Sequence, residues 1–237
     1  MTEYHDLVRP KVTHAVTILS GGLDSTVLAY LLHRSGTRLT LLSFDYGQRH
    51  RTELSYARRT ARALGAEHHV VDLSGVLPLL TGSALTDRTV DVPDGHYTDE
   101  AMRATVVPNR NAIMLDIAVA RAVSAGADAV AFGAHAGDHP IYPDCRPVFV
   151  QAFEQMAVTA NEGFADPRFR VLAPFMAEAK SDIVRVGAQL RVPFSDTWSC
   201  YKGGGVHCGT CGTCVERREA FEHARILDPT EYGAGVG

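Results

Sequence analysis

The chain has 237 residues, which is enough for one large domain or for a main domain with a small appendage. Its apolar content of 46% supplies a sizeable core, and its formal net charge of −4 argues against a broad nucleic-acid-binding surface. No stretch approaches ~18 uninterrupted apolar residues, so the sequence predicts no membrane span. Residues 1–11 are polar and charged without the apolar core of a leader peptide, and we expect a cytoplasmic protein.

The first predicted element is a strand that runs into a glycine turn and a helix. Residues 15–19 form an apolar run that predicts a buried strand, and the leucines of residues 25–33 follow helical spacing. The turn between them contains the sequence Ser20-Gly21-Gly22-Leu23-Asp24-Ser25. Such a turn aims backbone N–H groups and the positive end of a helix at an anion, so it predicts a phosphate-binding loop.

Several residues of this turn suit a phosphate. Gly21 and Gly22 permit positive φ and close approach of the backbone. Asp24 or Ser25 is expected to cap the helix, and the hydroxyls of Ser25 and Thr26 can donate to phosphate oxygens. The pattern is neither a Walker A loop, since no Gly-Lys-Ser/Thr follows, nor a dinucleotide fingerprint, since the third glycine is missing. An ordinary strand-to-helix turn that requires glycines is the alternative.

Predicted strands and helices alternate along the rest of the chain. Further strands are predicted over residues 38–44, 69–73, 128–132 and 170–173. Further helices are predicted over residues 52–64, 111–124, 147–160, 180–190 and 216–226. Residues 75–105 lack periodicity and predict a long loop. The pattern predicts an α/β fold with an open parallel five-stranded sheet, helices on both faces, and ligands beyond the carboxyl ends of the strands.

Four of the five cysteines crowd together near the end of the chain, with the spacing Cys200-x7-Cys208-x2-Cys211-x2-Cys214. Four thiolates close in sequence suit tetrahedral Zn²⁺, and a site with four protein ligands is structural because no position is left for water. Reduced thiols, redox cysteines and an iron–sulfur cluster are the alternatives. We therefore expect an α/β domain with the phosphate-binding loop over residues 1–195 and a zinc-binding segment with a helix over residues 196–237.

Two charged residues lie in a segment braced by prolines, Tyr142-Pro143-Asp144-Cys145-Arg146-Pro147. Proline restricts the backbone and so helps to hold a recognition group in place. Arg146 can bind a carboxylate or phosphate through two hydrogen bonds, and Asp144 can accept from the N–H edge of a guanine-like base. A structural salt bridge between the two is the alternative.

Two further cations are candidates for contact with a phosphate. Arg110 opens a predicted helix and is expected to approach a polyphosphate, with a plain surface arginine as the alternative. Lys180 also opens a helix and is expected to neutralise charge on the transferred phosphate, with a solvated helix-end lysine as the alternative. His135 and His139 are four residues apart, but Gly137 and Pro140 argue against a helix that presents both to a metal.

Together these motifs resemble those of the 7-cyano-7-deazaguanine (preQ0) synthase family, within the PP-loop ATP pyrophosphatase superfamily. The resemblance spans about residues 14–227, and the Tyr-Pro-Asp-Cys-Arg string and the cysteine spacing are its most specific parts. It rests on Ser20-Gly21-Gly22-x-Asp24-Ser25-Thr26, Asp45-Tyr46-Gly47-Gln48-Arg49-His50, Val107-Pro108-x-Arg110-Asn111, Asp138, residues 142–146, Lys180 and the four cysteines with Tyr201. Asn109 stands where the family usually has glycine, and asparagine is the next most tolerant of a left-handed φ.

The resemblance implies an enzyme that uses MgATP to adenylate the carboxylate of 7-carboxy-7-deazaguanine. Ammonia then displaces AMP to give an amide, and a second ATP activates the amide oxygen so that loss of AMP leaves a nitrile. The cofactors implied are ATP, Mg²⁺ and one structural Zn²⁺ per chain. The partners implied are the acid and ammonia, with a homodimer, no membrane and no direct contact with nucleic acid.

The resemblance also implies roles for individual residues. Lys180 and Arg110 are expected to be catalytic. The ATP-binding residues are expected to be Leu19, Ser20, Gly21, Gly22, Leu23, Asp24, Ser25 and Thr26. The residues that bind the acid are expected to be Tyr46, Gln48, Arg49, Asp138, Asp144 and Arg146. The expected metal ligands are Cys200, Cys208, Cys211 and Cys214.

Two other functions fit parts of the sequence. A PP-loop tRNA thiolase needs a redox-active or cluster-binding cysteine set and usually an RNA-binding surface. A zinc-ribbon binding module could carry an inactive nucleotide fold, although the intact Ser-Gly-Gly-x-Asp-Ser loop argues against that.

Overall fold

The structure, a computed structural model, describes residues 7–48, 51–87, 89–96 and 103–233. The strands are β1 (His14–Ile18), β2 (Arg38–Asp45), β3 (Glu67–Asp72), β4 (Ala129–Ala131) and β5 (Arg170–Leu172). The helices are α1 (Leu23–Arg34), α2 (Thr52–Ala63), α3 (Arg110–Ala125), α4 (Pro147–Ala160), α5 (Lys180–Gln189) and α6 (Gly212–Ala224). No helix in these ranges is long and apolar enough to cross a bilayer.

The strands form one parallel sheet in the order β3-β2-β1-β4-β5. The central strand β1 places Val16 opposite Thr40 of β2 and Val130 of β4. The order of strands along the chain runs one way from β1 to β3 and the other way from β4 to β5. The carboxyl end of β1 is therefore the switch point, where ligands bind in open α/β sheets. The predicted fold class is confirmed.

Alternating residues of the strands feed two cores, one on each face of the sheet. Leu28 of α1 and Phe221 of α6 belong to one core, which also receives residues of α2 and α5. Leu115 of α3 and Phe153 of α4 belong to the other. Val16 lies in the second core while its neighbour Ala15 lies in the first. Burial on both faces explains why β1 reads as a continuous apolar run.

Most observed boundaries lie within two residues of the predicted ones, and the largest difference is at α6. The sequence predicts that this helix starts at residue 216, whereas it begins at Gly212 with Cys211 as its N-cap. Glycine and cysteine are poor helix formers, so the pattern before residue 216 carries no helical signal. The observed start places Cys214 in the first turn of α6.

A buried arginine fastens the C-terminal part of the chain. Arg217 is 0% exposed, and its guanidinium donates to Asp228 at 3.1 Å, to Thr197 Oγ1 at 2.7 Å and to the Phe194 carbonyl at 3.1 Å. Phe221 of the same helix lies in the core that contains α1. The two parts of the chain share this core, and their division at residue 195 remains a prediction.

We expect Arg217→Met to lower the free energy of unfolding by about 3–5 kcal/mol, because it leaves the half-buried Asp228 carboxylate without its cation. Arg218→Met is the matched control, since Arg218 is exposed on the same helix and surface changes usually stay within about 0.5 kcal/mol. Urea denaturation followed by circular dichroism measures both. A loss for Arg217→Met no larger than that of the control would contradict the role given to this residue.

Candidate active site

One cavity of about 310 Å³ opens at the carboxyl ends of the central strands. Its walls come from the segments after β1, β2 and β4, from the starts of α3 and α5, and from residues 198–201. Its volume lies in the range of small-molecule sites, and several of its walls are aromatic. The aromatic lining residues are Phe44, Tyr46, Phe132, Tyr142, Trp198 and Tyr201.

The glycine turn after β1 forms one end of this cavity. Serine hydroxyls make hydrogen bonds within the turn. Ser20 Oγ lies 3.0 Å from Ser25 Oγ and accepts from the Gly22 N–H at 3.2 Å. Gly21 has a φ of 87°, whereas Gly22 has an ordinary φ of −76°. Both glycines permit a positive φ, but Gly22 does not adopt one. Only Gly21 uses the conformation that L-residues avoid.

The helix start beside this turn carries no side-chain cap within the described residues. Gly22 is the N-cap of α1, so the expectation that Asp24 or Ser25 caps the helix is wrong. The Ser25 hydroxyl donates instead to the Gly22 carbonyl at 3.3 Å. An uncapped helix start leaves backbone N–H groups free for an anion. Of the predicted ATP-binding residues, Gly21 and Thr26 do not line the cavity; Leu19, Ser20, Gly22, Leu23, Asp24 and Ser25 do.

Lys180 reaches the same end of the cavity from the first residue of α5. Its Nζ lies 2.7 Å from Glu216 Oε2 and 3.3 Å from Asp24 Oδ2. Burial alone would lower the pKa of Lys180, but the carboxylates of Asp24 and Glu216 outweigh it and raise the pKa. The residue is thus a fixed cation beside the glycine turn. Glu216 was missed by the sequence reasoning, because its only signal is its place in the helix after the cysteines.

Asp138 lies next to this cluster. Its carboxylate accepts from the backbone N–H of His135 at 3.1 Å and lies 3.7 Å from His135 Nε2. Burial raises the pKa of Asp138, against the opposing charges of His135 and Lys180. His135 Nδ1 accepts from the Gly137 N–H at 3.0 Å, so its proton is left for Nε2, which faces the carboxylates.

Arg110 is the second cation of the cavity, at the first residue of α3. Burial alone would lower the pKa of Arg110, but Tyr46, Tyr201 and Tyr142 raise it, so the guanidinium stays charged. The preceding Asn109 has a φ of 57°, so asparagine does support the left-handed conformation expected there. That turn aims the start of α3 at the cavity.

Gln48 and Glu53 also line the cavity. The Glu53 carboxylate is held by the neutral amide of Gln48, whereas Asp24 and Glu216 are paired with the charged Lys180. The Gln48 side chain accepts from the Tyr46 N–H at 2.9 Å and donates to the Phe44 carbonyl at 3.2 Å and to Glu53 Oε1 at 3.1 Å. Burial raises the pKa of Glu53 to about 7. Glu53 was also missed by the sequence reasoning, which treated α2 only as an amphipathic helix.

Asp144 and Arg146 do not line the cavity. The Asp144 carboxylate accepts from the Asn111 N–H at 3.2 Å, at the start of α3. Arg146 is exposed and donates to the His139 carbonyl at 2.8 Å. The Asp144 contact holds the segment against α3, and the Arg146 contact ties it to the preceding loop. Neither is the salt bridge considered as an alternative. Arg49, the remaining expected acid-binding residue, lies outside the described residues.

The four clustered cysteines converge on one point. Their sulfur atoms all lie within 4.8 Å of one another, with Cys208 Sγ at 3.9 Å from Cys214 Sγ. Tetrahedral zinc with Zn–S bonds of about 2.3 Å separates its sulfurs by about 3.8 Å, so the geometry fits a metal ion. Backbone N–H groups of Cys208 and Cys211 donate to neighbouring sulfurs, as suits thiolates.

This cysteine cluster adjoins the cavity. Cys200 ends a stretch in which the Trp198 N–H donates to the Gly21 carbonyl at 2.9 Å. Cys200 and Thr213 both line the cavity themselves. A metal held by the cysteines therefore fixes residues that touch the glycine turn.

Comparison with known proteins identifies the family. Residues 14–225 match the family model described as queuosine biosynthesis protein QueC. A protein of Paracoccus denitrificans named 7-cyano-7-deazaguanine synthase is 58% identical over 217 residues, which is 92% of each chain. A protein of Rhizobium meliloti with the same name is 58% identical over 92% of this chain and 91% of its own.

Among solved structures, NMN synthetase from Francisella tularensis is similar with a TM-score of 0.51, over 96% of this chain and 97% of that one. The sequence identity is 16%, so this likeness concerns the fold alone. Because the family model and the relatives both cover nearly the whole chain, the protein belongs to the queuosine biosynthesis protein QueC family.

Proposed function

We propose that the protein converts 7-carboxy-7-deazaguanine and ammonia to 7-cyano-7-deazaguanine at the expense of ATP. The names of its relatives support this activity. The observation that carries it is a single cavity with an uncapped helix start and a fixed lysine at one end, and a buried arginine among tyrosines elsewhere. Such a cavity suits one substrate with a polyphosphate and another that is flat and anionic.

The polyphosphate of ATP is assigned to the end formed by the glycine turn. The N–H groups at the start of α1 and the Lys180 ammonium supply positive charge there. Asp24, Asp138 and Glu216 bring more negative charge than Lys180 offsets, and Asp24 Oδ1 is buried without a partner among the described residues. Mg²⁺ brought in with ATP would neutralise phosphate charge at this end, and the Asp24 carboxylate is the group with an oxygen left for it.

The deazapurine acid is assigned to the aromatic end. Phe44 and Phe132 offer apolar walls for a planar ring system, and Arg110 offers a permanent cation for its carboxylate. In the activation step, a carboxylate oxygen attacks the α-phosphorus of ATP and pyrophosphate leaves with the bonding electrons. The task of the protein is then positioning and charge neutralisation, for which no nucleophilic side chain is needed.

The cysteine cluster is assigned a structural Zn²⁺, one per chain, because four thiolates close the coordination sphere. We also infer a cytoplasmic enzyme that forms a homodimer and has no direct contact with nucleic acid. Cys145 does not support sulfur transfer, because burial raises its thiol pKa and keeps it protonated. Sulfur incorporation that depends on Cys145 would favour the thiolase alternative.

Exchange of labelled pyrophosphate into ATP, dependent on the acid, tests the activation step. We expect Lys180→Met to lower the exchange rate by about 100-fold or more, because it removes the cation beside the glycine turn. Lys11→Met is the matched control, since Lys11 is exposed and does not line the cavity. Absence of exchange in the wild type, or exchange that ignores the acid, would contradict the proposed function.

A further inference from the structure

Amide formation requires a proton acceptor that the activation step does not. Ammonia is protonated in neutral solution, and an ammonium ion has no lone pair with which to attack an adenylated carboxyl group. A group in the cavity must therefore take a proton from it. This requirement rests on the proposed function.

The described lining residues include four carboxylates, and three of them are committed to the phosphate end. Asp24 and Glu216 are ion-paired with Lys180. Asp138 lies against His135, beside the same lysine. Glu53 differs, because its carboxylate is held by the uncharged amide of Gln48 at 3.1 Å. Among the described residues, Glu53 is thus the one of these four carboxylates with neither a lysine nor a histidine as ion-pair partner.

Contacts to the side chain and to the backbone of Glu53 fix its position. Gln48 cannot turn away, because its carbonyl accepts from the Tyr46 N–H and its amide also donates to the Phe44 carbonyl. The backbone of Glu53 packs directly on the glycine turn, so close that a Cβ on Gly21 would lie 2.2 Å from the Glu53 carbonyl oxygen. Glu53 therefore lies beside the loop assigned to ATP and lines the same cavity as Arg110.

We propose that Glu53 takes the proton from ammonium for amide formation, and that Gln48 is its positioning residue. In this step NH₄⁺ transfers one proton to the Glu53 carboxylate and becomes NH₃. The nitrogen lone pair then attacks the carboxyl carbon, and the carbon–oxygen bond to AMP breaks with its electrons retained by AMP. A second proton leaves the nitrogen as the amide forms and passes to solvent.

The environment of Glu53 suits a group that gains and loses a proton near neutrality. Burial raises its pKa to about 7, the amide of Gln48 and the charge of Arg110 lower it, and Asp45 raises it. Burial raises the pKa of the Tyr46 hydroxyl, and the charge of Glu53 raises it further. A general base works best when its pKa lies near the working pH.

Glu53→Gln with two nucleophiles tests the proposal. The variant keeps the size of the side chain and an oxygen that accepts from Gln48. We expect acid-dependent pyrophosphate exchange to stay near the wild-type rate, and ammonium-dependent amide formation at neutral pH to fall about 100-fold or more. Hydroxamate formation from hydroxylamine should stay within a few-fold of wild type, because hydroxylamine is already unprotonated. The difference in the rate of ammonium-dependent amide formation between the variant and the wild type should shrink as the pH rises and free NH₃ accumulates.

Glu162→Gln is the matched control, since Glu162 is exposed and does not line the cavity. Equal losses with ammonium and hydroxylamine, or no loss with ammonium, would overturn the role of Glu53. Loss of pyrophosphate exchange in Glu53→Gln, with exchange retained in the wild type and in Glu162→Gln, would also overturn this role. Glu53 would then be needed for adenylation of the acid. Absence of exchange in the wild type would instead overturn the proposed function and this inference with it.

Discussion

Gly21→Ala should abolish ATP-dependent turnover, because the substitution fails on two counts. The φ of 87° costs an alanine ~1–2 kcal/mol. The added Cβ would also lie 2.2 Å from the Glu53 carbonyl oxygen and 2.8 Å from the Ala57 nitrogen. Both atoms belong to the backbone of α2, so the helix or the loop must move. A displacement of about 1 Å at a catalytic site costs on the order of 100-fold in rate.

Gly126→Ala separates the two effects. Gly126 also has a left-handed φ, of 61°, but an added Cβ there would meet nothing within 4 Å. We expect that variant to lose ~1–2 kcal/mol of stability and to keep its activity. Steady-state turnover and thermal unfolding of both variants make the comparison. If Gly21→Ala retained the turnover of Gly126→Ala, the close packing of the loop on α2 would not matter for function.

Cys208→Ser should remove most of the bound metal and destabilise the fold together. Binding free energies of about 10–16 kcal/mol for structural zinc act as folding free energy, so a weakened site costs several kcal/mol. Because Trp198 ties the residues next to Cys200 to the Gly21 carbonyl, ATP binding should weaken as well. Metal analysis of the purified protein and thermal unfolding measure the first two effects.

Cys145→Ser is the matched control for metal content, because Cys145 lies outside the cluster and accepts a hydrogen bond from Asn111. We expect that variant to retain a full complement of metal. An unchanged metal content and melting temperature in Cys208→Ser would contradict a structural metal site.

The sequence predicts the architecture well because each element carries a strong local signal. β1 is buried on both faces and reads as an apolar run, and α4 spans the predicted residues 147–160 with a proline at its first position, where proline is favoured. The cysteine spacing likewise predicts a cluster that the fold brings together. These features depend on residues near one another in sequence.

The details of the site depend on contacts between distant residues, which no local pattern carries. Gly21, and not Gly22, has a positive φ, and α2 lies so close to Gly21 that a Cβ would not fit there. Glu53 and Glu216 reach the cavity from two predicted helices whose sequences carry no signal of a site. Arg146 reads as a recognition residue but donates to the His139 carbonyl and does not line the cavity.

Product analysis tests the central claim most directly. The wild-type protein is incubated with ATP, Mg²⁺, isotopically labelled ammonium and 7-carboxy-7-deazaguanine, and the products are identified by mass spectrometry. The proposed function predicts 7-cyano-7-deazaguanine that carries the label, formed with AMP and pyrophosphate and preceded by the labelled amide. Recovery of the unchanged acid, without any ATP consumption that depends on the acid, would contradict the proposed function.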